Sequence, residues 1–165
     1  MQSYNELDII YSSDDLNISF HKLDSLEGCP EHITGGFYCN YNRLETLIGG
    51  PQRVDGDYHC DGNKLTDLNG CASHISRGLI CDSNNGITSL VGIHKIIKSC
   101  NNITFSCHRI TEGGIGLLLI DNLVSLHSYT EPFNIIQKYL GNRTKGMMEC
   151  RSELISKGFP EYAKL

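Results

Sequence analysis

The feature that most constrains this chain is a self-similarity of about 21 residues. Residues 23–44 read LDSLEGCPEHITGGFYCNYNRL, 44–65 read LETLIGGPQRVDGDYHCDGNKL and 65–87 read LTDLNGCASHISRGLICDSNNGI. A looser fourth unit, ITSLVGIHKIIKSCNNITFSCHRI, begins at Ile87. The columns agree in residue type. Leu23, Leu44, Leu65, Ile87 and Ile110 open successive units, and Leu26, Leu47, Leu68 and Leu90 follow three residues later. Then come a glycine column (Gly28, Gly49, Gly70, Gly92) and an apolar one (Ile33, Val54, Ile75, Ile97). Phe37, Tyr58, Leu79 and Phe105 precede Cys39, Cys60, Cys81 and Cys107 by two residues, and Asn42, Asn63 and Asn84 close the pattern. The periods are 21, 21 and 22 residues, with an insertion of about four between Ile97 and Phe105.

A period of this length means one supersecondary unit per repeat, stacked on its neighbours. Side chains two apart on a strand face the same way, so Tyr58 and Cys60 point inward while Asp57, His59 and Asp61 point out. Gly49-Gly50-Pro51 turns the chain, and Leu44 and Leu47 seal the opposite wall. No single coil can bury itself. About five apolar side chains per coil, at roughly 1.5–3 kcal/mol each when buried, offset chain ordering only in a stack. Weaker units flank the strong ones. Leu16-Asn17-Ile18 sits where a strand belongs, five residues before Leu23, and Leu117-Leu118-Leu119, Asn122, Leu123 and Leu126 restore strand, asparagine and leucine spacing. About six coils are expected between Leu16 and Leu126.

The spacing Tyr58-x-Cys60-x-x-Asn63-x-Leu65, repeated as Phe37-x-Cys39-x-x-Asn42-x-Leu44, resembles the second half of the leucine-rich repeat. It departs from that consensus at Val54, which lies four rather than three residues before Tyr58. The glycine-rich order L-x-x-L-x-G-x-P-x-x-V-x-G-x-F-x-C, and the tail MECRSELISKGFPEYAKL, resemble small repeat proteins of tailed bacteriophages. The resemblance implies an α/β repeat solenoid with a parallel sheet, and a phage protein working in the host cytoplasm.

From Glu131 the period changes. Phe133, Ile136 and Leu140 have helical spacing, with Pro132 at the start and Gly141 past the end. A second helix is expected over Lys145 to Ser156, with Met148, Leu154 and Ile155 near one face and Gly158 as its stop. Because end coils expose an apolar cross-section, the pair reads as a cap. Residues 1–15 are then an N-terminal cap, 16–128 the solenoid and 129–165 the C-terminal cap. The opening segment is too polar for a secretory signal, and no apolar run approaches a membrane span. The net charge of −5 disfavours a nucleic-acid partner.

Candidate chemistry is sparse. A cysteine column with strand spacing, about 4.8 Å, forms a line and not the tetrahedron zinc requires; close CxxC pairs are absent. Buried cysteine is a small hydrophobe. Cys29 and Cys71 share a turn column with Gly50 and read as incidental. Asn42, Asn63 and Asn84 read as turn-satisfying amides. His32 and His74 share a turn-side column with Arg53, and none of the seven histidines forms a metal-binding pair. No P-loop, dinucleotide signature or nucleophile elbow occurs, so neither catalytic residues nor a cofactor are expected.

The functional expectation therefore falls on the outward sheet face. Tyr38, His59, Ile80 and Ser106 form its central row. Gly36, Asp57, Gly78 and Thr104 lie on one side, and Asn40, Asp61, Asp82 and His108 on the other. Aromatics and an isoleucine among acids suit a host or phage protein partner with a basic rim. A non-enzymatic module that binds and modulates a host defence or toxin protein is the leading reading. A structural accessory of a phage particle and a metal- or small-ligand-binding protein are its rivals.

Overall fold

The structure is a computed structural model, and it describes residues 2–7, 14–106, 109–128 and 130–165. The chain winds as a repeat solenoid with a parallel sheet along one side. Six strands, Leu16–Asn17, Phe37–Tyr38, Tyr58–His59, Gly78–Ile80, Asn102–Thr104 and Ser125–His127, pair in chain order, every pair parallel. One coil joins each strand to the next, as the 21-residue period requires. A second parallel sheet (His32–Ile33, Arg53–Val54, His74–Ile75) lines another side. It makes His32, Arg53 and His74 strand residues, where a turn is expected from sequence. Asp55 accepts hydrogen bonds from His32 Nε2 and Arg53 Nε, both at 2.8 Å. Those bonds, His32's foremost, hold its carboxyl below the usual range. Among the described residues the coils hold one short α-helix, α1 (Ile93–Ile96), and a 3₁₀ stretch, Ile115–Leu119.

The core is continuous from Leu16 to the C-terminal helices. Leu23, Leu26, Leu44, Leu47 and Leu65 are all fully buried, as are Phe37, Tyr58 and Leu79. The rings of Phe37 and Tyr58 meet edge to face at 5.0 Å. Cys39 and Cys60 are inaccessible, and burial pushes both thiols well above their ordinary pKa, so they pack as neutral hydrophobes.

Asn42, Asn63 and Asn84 form a buried ladder between coils. Asn63 Nδ2 donates to the carbonyls of Cys39 (3.1 Å) and Cys60 (3.0 Å), and its Oδ1 accepts from the amides of Asn42 and Leu44, both at 3.1 Å. Asn84 repeats this one coil on, donating to Cys60 and Cys81 carbonyls and accepting from Leu65 N. Each amide thus satisfies its own turn and the preceding coil at once.

Three features correct the sequence alignment beyond Asn84. Ile103, not Phe105, pairs with Leu79, so Phe105 falls in the cysteine column, where Cys81 N donates to Thr104 O. The bridge His74–Ser99 places Cys100, not Ile97, beside Ile75; Ile97 instead ends α1. In the last coil Leu117–Leu119 is 3₁₀ and the strand is Ser125–His127. The insertion absorbed by α1 shifts the pairing by two residues.

The C-terminal end is closed by α2 (Glu131–Tyr139) and α3 (Arg143–Ser156). Phe133 is fully buried between Phe105 and Tyr162, at ring distances of 5.1 and 5.6 Å. Gln137 supplies what the next coil would have supplied. Its Oε1 accepts from Leu126 N (2.6 Å) and its Nε2 donates to Val124 O (3.2 Å), closing the edge of the sheet. Arg143 likewise donates to the carbonyls of Ile120 and Leu123. On α3 the inward residues are Cys150 and Leu154, whereas Met148 and Ile155, expected near that face, are 69% and 52% exposed.

Tyr58 carries a hydroxyl that has no hydrogen-bond partner among the described residues. A Cβ at Gly50 would lie 2.9 Å from Leu26 Cδ1 and 3.0 Å from Leu47 O, and in ordinary contact, 3.4 Å, with the hydroxyl oxygen. The coils on either side hold Phe37 and Leu79, which lack a hydroxyl, and there the equivalent turn positions are Cys29 and Cys71. Tyr58→Phe is expected to leave stability unchanged or raise it by about 1 kcal/mol, because an unsatisfied buried hydroxyl is removed. A loss above about 1 kcal/mol in urea denaturation would mean that the hydroxyl is bonded.

Candidate protein-interaction face

Pairing of the six short strands lays out three outward rows. The central row is Asn17, Tyr38, His59, Ile80, Thr104 and His127. Two residues earlier on each coil lie Asp15, Gly36, Asp57, Gly78, Asn102 and Ser125; two residues later lie Ser19, Asn40, Asp61, Asp82 and Ser106. Inward neighbours such as Phe37, Cys39, Leu79 and Cys81 are buried, which fixes the outward parity of Tyr38, His59 and Ile80. Tyr38, Asn40, Asp57, His59, Asp61, Ile80 and Asp82 therefore share one surface. Ser106 leaves the expected central row for the flank, where its hydroxyl donates to Asp82 Oδ1 at 3.3 Å, and Thr104 takes its place. His108 lies outside the described residues.

The rows are tied across coils. Asp57 Oδ1 accepts from Gly78 N (2.9 Å), and Asp15 Oδ1 from Gly36 N (2.6 Å). Ser19 donates to Asn40 (2.6 Å), and Ser125 to Asn102 (2.6 Å). Tyr38 and His59 lie ring over ring at 5.0 Å, tilted by 33°. Burial, then Asp15 and Asp57, push the Tyr38 hydroxyl above its ordinary pKa and keep it a neutral donor. Asp61 Oδ1 is shielded from solvent without a hydrogen-bond partner among the described residues, and His59 Nδ1 lies 3.6 Å from it. Electrostatically the face is one-sided. Its rows contain four aspartates and no lysine or arginine.

A further surface feature has no counterpart in the sequence reading. Phe20 and Tyr41 occupy the turn position just past the flanking row. Their rings stack at 4.8 Å with 12° between planes, and they are 69% and 51% exposed. The same column continues with Gly62 and Ser83, and all four positions have positive φ. A glycine in such a column is a sequence signal for left-handed backbone; aromatic residues there are not an expected solution.

Among the described residues no three histidine, cysteine or acidic side chains are grouped so as to hold a metal ion. Among the described residues no helix is long and apolar enough to cross a membrane. Comparison with known protein families, with curated proteins and with solved structures finds no match to this chain.

Proposed function

We propose that the chain is a non-enzymatic interaction module that binds a protein partner through the outward face of its parallel sheet. The observation that carries this reading is the composition of that face. Tyr38, His59 and Ile80 make a continuous aromatic and aliphatic centre, flanked by Asn40, Asp57, Asp61 and Asp82 on a scaffold whose backbone is held coil to coil. Binding surfaces concentrate their energy in such central aromatic and aliphatic residues, and a rigid platform limits the ordering cost. The likeness of the repeat to small phage repeat proteins supports a finer reading. On it the partner is a host protein of a defence or toxin system, bound and modulated in the host cytoplasm.

The test pairs capture from bacterial lysate with thermal melts. Tyr38→Ala/Ile80→Ala is expected to melt like the parent, because surface substitutions cost within about 0.5 kcal/mol, and to lose the captured partner. If capture survives that change but disappears in Met148→Ala/Ile155→Ala, the exposed side of α3 is the binding surface and the sheet-face reading fails.

A further inference from the structure

The Phe20–Tyr41 stack sets two rings in solvent at a cost the backbone makes visible. Phe20 has φ +62° and Tyr41 φ +54°, a region in which bulky side chains are rare. Gly62, in the same column one coil on, shows that glycine fits the position without that cost. The order along the column is Phe20, Tyr41, Gly62. A Cβ on Gly62 would lie 2.6 Å from Tyr41 Cδ1, so Gly62 floors the stack, and Phe20 at its other side is 69% exposed.

Charge divides the surroundings of this ridge. On the sheet side the adjoining row is Ser19, Asn40, Asp61 and Asp82, part of the face that lacks lysine and arginine. On the turn side, two residues past the rings, stand Lys22, Arg43 and Lys64, all exposed. A cationic segment is thus attracted on one side of the ridge and repelled on the other. Of the two cationic side chains, the planar guanidinium stacks on an aromatic face, whereas the ammonium stays hydrated as a point charge.

We propose that the Phe20–Tyr41 ridge anchors an arginine of a cationic protein segment lying along the acidic sheet face. This rests on the sheet face being the partner-binding surface, and it adds the chemistry of the partner. The ring stack receives the guanidinium. Asp61 and Asp82 face the rest of the segment, and the Lys22–Arg43–Lys64 column fixes the side from which it enters.

Fluorescence anisotropy with the purified protein, near physiological salt, tests this with three labelled probes: nona-arginine, nona-lysine and an oligo-thymidine single strand. The parent is expected to bind the arginine peptide about ten-fold more tightly than the lysine peptide, the scale of a partly desolvated cation–π contact. Phe20→Gly/Tyr41→Gly should abolish that preference with a melting temperature equal to or above the parent's, since relief of left-handed backbone offsets the lost stack. Asp61→Asn/Asp82→Asn should weaken both peptides. Equal binding of the two peptides, or an arginine preference indifferent to the glycine variant, overturns the proposal. So does absence of saturable arginine-peptide binding. Tighter binding of the oligonucleotide, lost in Arg43→Glu/Lys64→Glu, would overturn it in favour of a nucleic acid stacked on Phe20. Loss of the captured protein in Tyr38→Ala/Ile80→Ala, with no peptide preference, would leave the sheet-face reading standing and remove only the arginine anchor.

Discussion

Asn63→Ala is expected to destabilise the chain by about 3–5 kcal/mol, a large share of the roughly 5–15 kcal/mol that holds a typical protein folded. The amide removed is bonded to five backbone groups. The amides of Asn42 and Leu44 lose the acceptor they share in Asn63 Oδ1, and each unsatisfied buried donor costs about 1–3 kcal/mol. The carbonyls of Cys39 and Cys60 lose a donor as well, though each keeps another, Asn42 Nδ2 for Cys39 and Asn84 Nδ2 for Cys60. Asn85→Ala provides the contrast. Asn85 is exposed in the same turn region, and its loss should cost within about 0.5 kcal/mol. Because solenoid coils contact only their neighbours, the Asn63 variant should also loosen the N-terminal coils before the rest. Hydrogen exchange would show this as faster exchange at Cys39 and Tyr41 than at Ile103. A cost below about 1 kcal/mol would mean that water replaces the amide and that the ladder is not a principal tie between coils.

That ladder is also where the sequence is most readable. With a fixed period, a position that must satisfy a turn in one coil must do so in the next. Asn42, Asn63 and Asn84 therefore recur, together with the inward pair Phe37/Cys39 and its equivalents. Legibility ends where the period breaks. Gly86 and α1 lengthen the coil after Asn84, and the string Phe105-x-Cys107 resembles Tyr58-x-Cys60 closely enough to attract the alignment by residue type. The actual pairing puts Ile103 in the aromatic column and Phe105 in the cysteine column. Both fill the core, which accepts a hydrophobic side chain of suitable volume in either place. A shift of two residues keeps strand parity, so Ser106 stays on the outer face but changes row.

The candidate site is legible for the same reason and illegible for another. Outward parity alone assigns Tyr38, Asp57, His59, Asp61, Ile80 and Asp82 to one surface. The Phe20–Tyr41 stack escapes because the column reads Phe, Tyr, Gly, Ser, with no shared chemistry. Its unity is in the backbone angles, which residue type reveals only at Gly62. Gln137 and Arg143 are similarly hidden. Each replaces backbone hydrogen bonds that a further coil would have made, and no periodicity marks a residue that acts once.

The glycine column yields the sharpest steric prediction. Gly70 has φ +84°, and a Cβ built on it would lie 2.2 Å from Ile48 N and 2.4 Å from Leu47 C, both backbone atoms of the preceding coil. Neither can move without opening the stack, because Leu47 is itself fully buried. Gly70→Ala therefore combines a left-handed backbone penalty of about 1–2 kcal/mol with a backbone clash, and the sum should reach about 4 kcal/mol or more. The equivalent position one coil earlier is looser. At Gly49 the nearest backbone atoms would be 3.0 Å from the added carbon, so Gly49→Ala should cost appreciably less. Gly141, between α2 and α3, has nothing within 4 Å of a built Cβ, and alanine there should be neutral or stabilising by up to about 1 kcal/mol. Urea denaturation of the three variants should rank them Gly70, Gly49, Gly141 in decreasing cost. If all three fall within about 1 kcal/mol of the parent, adjacent coils are not packed backbone to backbone on the leucine side, and the close stacking described for that wall is wrong.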